Sequence, residues 1–144
     1  MKSKPDEATV AAWIGLSRAQ RVAIARVEAR LKAKKLPPLS WYDALWELDK
    51  AGEAGLRPYE LERAMLFEQY NLSRLAQRLV EAGLISRETC EADARGQTLK
   101  ITEAGREMRR HMWETYSRAI EEAVGTKLSA AEARSLAELL RKLE

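Results

Sequence analysis

From Thr9 to about Lys35 the apolar residues Val10, Trp13 and Ile14, then Ile24, Val27 and Leu31, recur at helical spacings with only Gly15 among them as a weak helix former. That period predicts one long amphipathic helix, which Pro37 and Pro38 stop. Ser40 with Asp43 three residues on has the form of an N-cap with a short-armed capping box. It opens a second helix through about Lys50, which Gly52 and Gly55 end. Pro58 suits the first turn of a short third helix, where its missing N–H costs nothing. From Phe67 to Ala82, Leu72, Leu75, Ala76, Leu79 and Val80 form a single stripe, and Gly83 supplies the stop. The other side of that segment is polar, with Tyr70, Arg74, Gln77, Arg78 and Glu81, and with Gln69, Asn71 and Ser73 near its start. Two short segments follow, Leu84 to Cys90 and Gln97 to Ile101, separated by the turn-like residues 91–96, and predict a β-hairpin. Thr102 caps a long helix from Glu103 to about Val124 that Gly125 ends. Ser129 with Glu132 makes a full capping box for a last helix carrying Leu136, Leu139, Leu140 and Leu143. The pattern is mainly α, about six helices plus one two-stranded hairpin.

Composition narrows the class. A chain of 144 residues that is 46% apolar and 33% charged is the size of one folded domain. No apolar run approaches the roughly 20 residues of a membrane span, and the first residues lack an apolar signal core, so a cytoplasmic protein with no membrane partner is expected. A single cysteine, Cys90, cannot close an internal disulfide. With His111 as the sole histidine, a dedicated Cys/His metal cage has too few ligands, and no cofactor is expected. There is no phosphate-cradling glycine loop, no His-Glu-x-x-His and no cysteine–histidine pair with an orienting group, so no enzyme is expected. The net charge of +3 is unevenly spread: residues 1–37 carry nine basic against three acidic side chains, the remainder sixteen against nineteen. Any nucleic-acid contact in the centre of the chain must therefore rest on where individual arginines stand, not on bulk charge.

Helix, short helix, polar-faced helix and hairpin in this order make a winged helix-turn-helix. The run Arg74 to Arg87, which contains Gly83-Leu84-Ile85-Ser86-Arg87, is followed by Asp93-Ala94-Arg95 and then by Ile101-Thr102-Glu103-Ala104-Gly105. In this combination and spacing the segment from about Ser40 to Arg110 resembles the MarR family of bacterial transcriptional regulators. The resemblance implies an intertwined homodimer built as one unit over residues 1–144. Residues 9–36 and 103–144 would supply dimerisation helices, and residues 40–102 a winged-helix lobe that binds double-stranded DNA. It also implies a regulator, expected to be a repressor, that reads a pseudo-palindromic operator.

The Phe67 to Ala82 helix is then the one that enters the major groove, where Arg, Asn and Gln side chains read base edges. Gln69, Tyr70, Asn71, Ser73 and Arg74 are assigned to base edges or adjacent phosphates, and Arg78 to the backbone. In the wing, the resemblance places Arg95 in the minor groove, with Asp93 orienting it or helping the chain to turn. Arg87 is assigned either to a phosphate or to an ion pair with an acid such as Asp93. One departure from the family pattern stands out. The turn before the recognition helix often carries glycine, whereas here it holds Leu66 and Phe67, so a bulkier, helical turn is expected, followed by the acidic Glu68.

The family commonly takes a small aromatic or anionic effector. Trp13, Trp41, Trp46 and His111 are the residues singled out for such a ligand, against the alternative that aromatics at helical spacing are core. A second reading keeps the winged helix but makes it a protein-interaction or structural dimer without DNA binding, consistent with the near-neutral charge of the central segment.

Overall fold

The computed structural model describes residues 3–89 and 96–144. The chain forms two compact units, one of residues 31–115 and one of residues up to 30 together with 116–144. Helix α1 (Glu7–Ala33) starts two residues before the sequence pattern suggests, because the Asp6 carboxylate accepts the Thr9 N–H at 2.7 Å and satisfies a free donor of the first turn. That bond holds the Asp6 carboxyl below its ordinary range. The helix ends in a Schellman turn: the Leu36 N–H reaches the Leu31 carbonyl at 2.9 Å and the Lys35 N–H reaches the Lys32 carbonyl at 2.9 Å. Lys35 occupies the left-handed position of this turn at φ 59°, where glycine is usual.

In the larger unit, α2 spans Leu39–Ala51. It does not begin with the expected Ser40–Asp43 box: Pro38 holds the cap position, no side chain caps the helix, and Asp43 is buried inside it. Gly52, at φ 62°, ends this helix as the sequence predicts and leads into a 3₁₀ turn (Gly52–Ala54). Helix α3 (Pro58–Ala64) carries Pro58 in its first turn, and Glu60 accepts the Arg57 N–H at 2.8 Å. Helix α4 (Leu72–Glu81) is shorter than the Phe67 to Ala82 expectation. Its C-terminus closes as the pattern predicts, on Gly83 at φ 76°, with the Leu84 N–H on the Leu79 carbonyl at 3.0 Å.

Strands β1 (Ile85–Thr89) and β2 (Gln97–Ile101) pair antiparallel in the register Ile85 to Ile101 and Thr89 to Gln97. Leu56 adds a two-bond bridge to Leu99, at 2.9 and 2.7 Å, which ties the 3₁₀ turn to the wing. Thr102 opens α5 (Glu103–Ile120): its hydroxyl donates to the Gly83 carbonyl at 2.7 Å and accepts the Gly105 N–H at 3.1 Å.

The core of this unit takes Ala44, Leu45 and Leu48 from α2, Leu61 from α3, and Leu72, Leu75, Ala76 and Leu79 from α4. Leu84, Ile85, Leu99 and Ile101 complete it from the base of the wing. The predicted α4 stripe is thus the buried one, with Val80 packed at its edge. Each fully buried leucine here contributes about 1.5–3 kcal/mol relative to exposure, which fixes α4 on α2 and α3.

In the smaller unit, α5 passes into a π-helical turn (Glu121–Gly125) and then α6 (Ala130–Arg141), opened by the reciprocal Ser129–Glu132 box at 3.1 and 2.9 Å. Arg30 meets Glu122 through its Nη2 at 2.6 Å. Val27 and Ala119 are buried, whereas Trp13, Ile14, Val22, Leu136, Leu139 and Leu143 are exposed. No helix among the described residues is long and apolar enough to cross a membrane.

Candidate nucleic-acid interface

The residues assigned to base reading do not all lie on one helix. The five residues Leu66 to Tyr70 between α3 and α4 are non-helical, contrary to the helical turn expected from Leu66 and Phe67. Gln69 and Tyr70 therefore precede the helix instead of forming its first turn. Gln69 is half-buried and its amide donates to the Phe67 carbonyl at 3.2 Å, so this group helps to shape the turn. Tyr70 projects fully into solvent.

Asn71 is the N-cap of α4. Its backbone is extended, and its side-chain oxygen accepts the Arg74 N–H at 3.0 Å. The carbonyl half of the amide is engaged in this cap, which leaves its NH2 as the group facing outward. Beyond the cap, the core stripe turns Ser73, Arg74, Gln77 and Arg78 to the exposed side. Gln77 spends its amide on Glu81 at 3.2 Å. Ser73, Arg74 and Arg78 make no side-chain hydrogen bond or ion pair among the described residues. Two guanidinium groups thus stand free one turn apart on the solvent face of α4, near the positive end of its dipole in the case of Arg74.

On the wing, Arg87 is exposed in β1 opposite Leu99 and pairs with no acid among the described residues, whereas its neighbour Glu88 binds Lys100 across the strands at 2.9 Å. The bond from Glu88 holds the Lys100 ammonium pKa above its ordinary value. Asp93 and Arg95 lie outside the described residues, as does Cys90.

Asp43 is the residue that sequence reading misplaced. It is 4% exposed, and its two carboxylate oxygens accept the backbone N–H groups of Leu66 at 2.9 Å and Phe67 at 2.8 Å. Burial pushes its carboxyl above the ordinary range; the two amides pull the other way and do not offset it. An acid set between Tyr42, Ala44 and Leu45, all buried, is the signal that could have shown it as an interior acceptor instead of a cap.

Of the four residues singled out for an effector, Trp41, Trp46 and His111 belong to the larger unit and Trp13 to the smaller. Trp13 lies in the smaller unit and is exposed. Trp41 packs against the core. Trp46 carries the Lys50 ammonium 5.2 Å and the Arg109 guanidinium 4.9 Å from its ring centre, so its ring is occupied by cations of the chain itself. Arg109 in turn binds Asp49 at 2.7 Å. His111 is exposed on α5, and no hydrogen bond or ring stacking joins it to Trp41 or Trp46. Among the described residues there is no group of three side chains suited to a metal ion.

Residues 35–96 match the model of the MarR family. The whole chain superposes on solved structures of that family. One is Sco3205, a MarR family transcriptional regulator from Streptomyces coelicolor solved in complex with DNA, at 24% identity and TM-score 0.86, covering 99% of this chain and 89% of that one. AbsC, a MarR family transcriptional regulator from the same organism, matches at 23% identity and TM-score 0.80 over 99% and 95% of the two chains. A mutant of MarR from E. coli, complexed with operator DNA, matches at 20% identity and TM-score 0.80 over 98% and 99%. The fold is that of these winged-helix proteins.

Proposed function

We propose that this chain, with a central segment matching the MarR family model on that family's fold, is a sequence-specific double-stranded DNA-binding transcriptional regulator. The observation that carries the reading is the free pair Arg74 and Arg78, with Ser73, on the outward face of a helix whose other face is locked into the core. A guanidinium without an intramolecular partner can offer its fork to a guanine edge or to a phosphate at no cost in broken ion pairs.

In this reading Arg74, Ser73 and the Asn71 amide face base edges, and Arg78 binds the phosphate backbone. Tyr70 flanks the groove, and Gln69 acts through the shape of the turn. Arg87 takes a phosphate at the base of the wing, since it has no acidic partner among the described residues. Arg95 in the minor groove, with Asp93 beside it, remains part of the proposal from family resemblance. The likeness to two proteins solved with DNA supports DNA as the partner.

The regulator acts as a homodimer and as a repressor. Exposed Trp13, Ile14, Val22, Leu136, Leu139 and Leu143 in the smaller unit support dimerisation, because an isolated chain would leave this apolar surface in water. A two-fold pair reads half-sites roughly one DNA turn, about 34 Å, apart. Release by a small aromatic or anionic effector belongs to the same proposal, although Trp46 is better explained by its two cations than by a ligand.

Selection of bound duplexes from a random pool by the purified protein tests the reading. A pseudo-palindromic winner is expected. A pool that stays random favours the protein-interaction dimer, which the acidic balance beyond residue 37 would suit.

A further inference from the structure

Residues 66–70, between the C-cap of α3 and the N-cap of α4, have few restraints of their own. Leu66, Glu68 and Tyr70 are exposed, Phe67 is half-buried, and among the described residues the side-chain bond within the turn is that from Gln69 to the Phe67 carbonyl. What ties this segment to the body of the lobe is a single buried carboxylate on α2, reaching across 23 and 24 positions of sequence to two consecutive amides. Each oxygen takes one N–H, so the group fixes both the position and the tilt of the peptide planes, as a bidentate acceptor does and a single hydrogen bond does not.

We propose that Asp43 is the positioning residue for DNA recognition: by clamping the Leu66 and Phe67 amides it sets the path of the turn and so the register of Asn71, Ser73 and Arg74 on the bases. The proposal rests on the reading of α4 as the recognition helix. A clamp of this kind matters for sequence reading more than for nonspecific attachment. Base-edge hydrogen bonds require placement within a fraction of an ångström, whereas contacts to phosphate tolerate displacement.

The chemistry of the site favours such a role over a purely stabilising one. A buried carboxylate loses its hydration, and here that cost falls on a group whose two oxygens each accept an amide of the turn. The charged groups whose fields act on it, Glu47 and Lys50, both lie on its own helix and oppose each other, and the turn contributes the two amides. The core that holds α3 and α4 together is built from Leu61, Met65, Leu72 and Leu75 and does not need the carboxylate. Asp43 acts on a segment, residues 66–70, that contributes no side chain to this core.

The test compares the wild type with Asp43→Asn, which keeps the shape but turns an NH2 toward one of the two N–H donors. With the selected duplex and an unrelated duplex of equal length, Asp43→Asn is expected to lose about tenfold or more in specific affinity. Nonspecific affinity should stay within about twofold, because the phosphate contacts remain. Amide exchange at Leu66 and Phe67 should accelerate in the free protein. Unchanged specific affinity overturns the proposal, and so does an equal fall on both duplexes, which would mark a general loss of structure.

A measurement on the wild type covers the case of a variant that does not fold. The amide proton shifts of Leu66 and Phe67 should move together through one titration lying above the ordinary carboxylate range. Independent or absent titration contradicts the clamp. A wild type that binds all duplexes alike removes the recognition reading and the DNA half of this proposal with it, while the amide shifts still decide whether Asp43 holds the turn.

Discussion

The Asp43 carboxylate accepts the Phe67 N–H at 2.8 Å and so joins the middle of α2 to the turn that leads into α4. Its burial raises its pKa, which makes the pH dependence of the protein informative. A group with a raised folded-state pKa holds its proton more tightly in the folded chain. Its contribution to stability is full below the unfolded pKa and is lost as pH rises through the folded one. Denaturant unfolding of the wild type and Asp43→Asn across the carboxylate range should therefore show the wild type gaining on the variant as pH falls. The turn has the opposite dependence, since the ionised group alone offers both oxygens freely to two amides. A stability difference that does not vary with pH would contradict the raised pKa.

Asn71 has two separable jobs. Its oxygen caps α4 through the Arg74 N–H, and its NH2 is free for a base edge. Asn71→Ala should cost about 1 kcal/mol of stability through the lost cap. Asn71→Asp keeps the cap but replaces the donor with an acceptor. It is expected to leave thermal stability near the wild type while weakening binding to the selected duplex. If Asn71→Asp binds that duplex as the wild type does, Asn71 is a cap and nothing more.

Gly105 sits where α5 passes over the start of the wing. A Cβ there would meet the Leu84 carbonyl oxygen and lie 2.7 Å from Ile101 Cγ1. Because the obstacle includes backbone, it cannot rotate away. Gly105→Ala should destabilise by about 1–3 kcal/mol, toward the upper end, as overpacked sites do. Calorimetry of the purified variant measures it, and an unchanged melting temperature would show that α5 can shift.

Helices α1 and α4 end in the same Schellman geometry, but α4 has Gly83 at the left-handed position and α1 has Lys35. An L-residue in that conformation costs roughly 1–2 kcal/mol, part of which glycine gives back through its freer unfolded chain. Lys35→Gly is expected to stabilise by about 0.5–1 kcal/mol, read as a higher denaturation midpoint with unchanged slope. A lower midpoint would mean that the Lys35 side chain contributes more than its backbone costs.

The order and type of the elements were legible because long amphipathic patterns, prolines and glycines all agreed. The stripe from Leu72 to Val80, the Gly83 stop, the hairpin and the Ser129–Glu132 box stand where the sequence suggests. The start of α4 was not legible. Phe67, Glu68 and Gln69 continue a plausible helical pattern locally, and only the long-range bonds of the Leu66 and Phe67 amides to Asp43 show why the chain is not helical there. For the same reason the Ser40–Asp43 spacing fits a local capping box, whereas the actual partners of Asp43 are more than twenty residues away. Of the base-reading residues, Ser73 and Arg74 keep the helical positions expected of them, Gln69 and Tyr70 move to the turn, and Asn71 becomes the cap.

Salt titration of affinity for the selected duplex tests the central claim most directly, carried out on the wild type, Arg74→Ala and Arg78→Ala. A protein that displaces counterions from DNA must show a logarithmic slope of about −0.9 per phosphate contacted. Arg78→Ala should make the slope shallower by about 1 per lost contact and weaken all sequences alike, whereas Arg74→Ala should cost about 1–3 kcal/mol and relax preference at one position of the site. Affinity that ignores salt, or equal losses on every sequence for both variants, would contradict a sequence-reading role for α4.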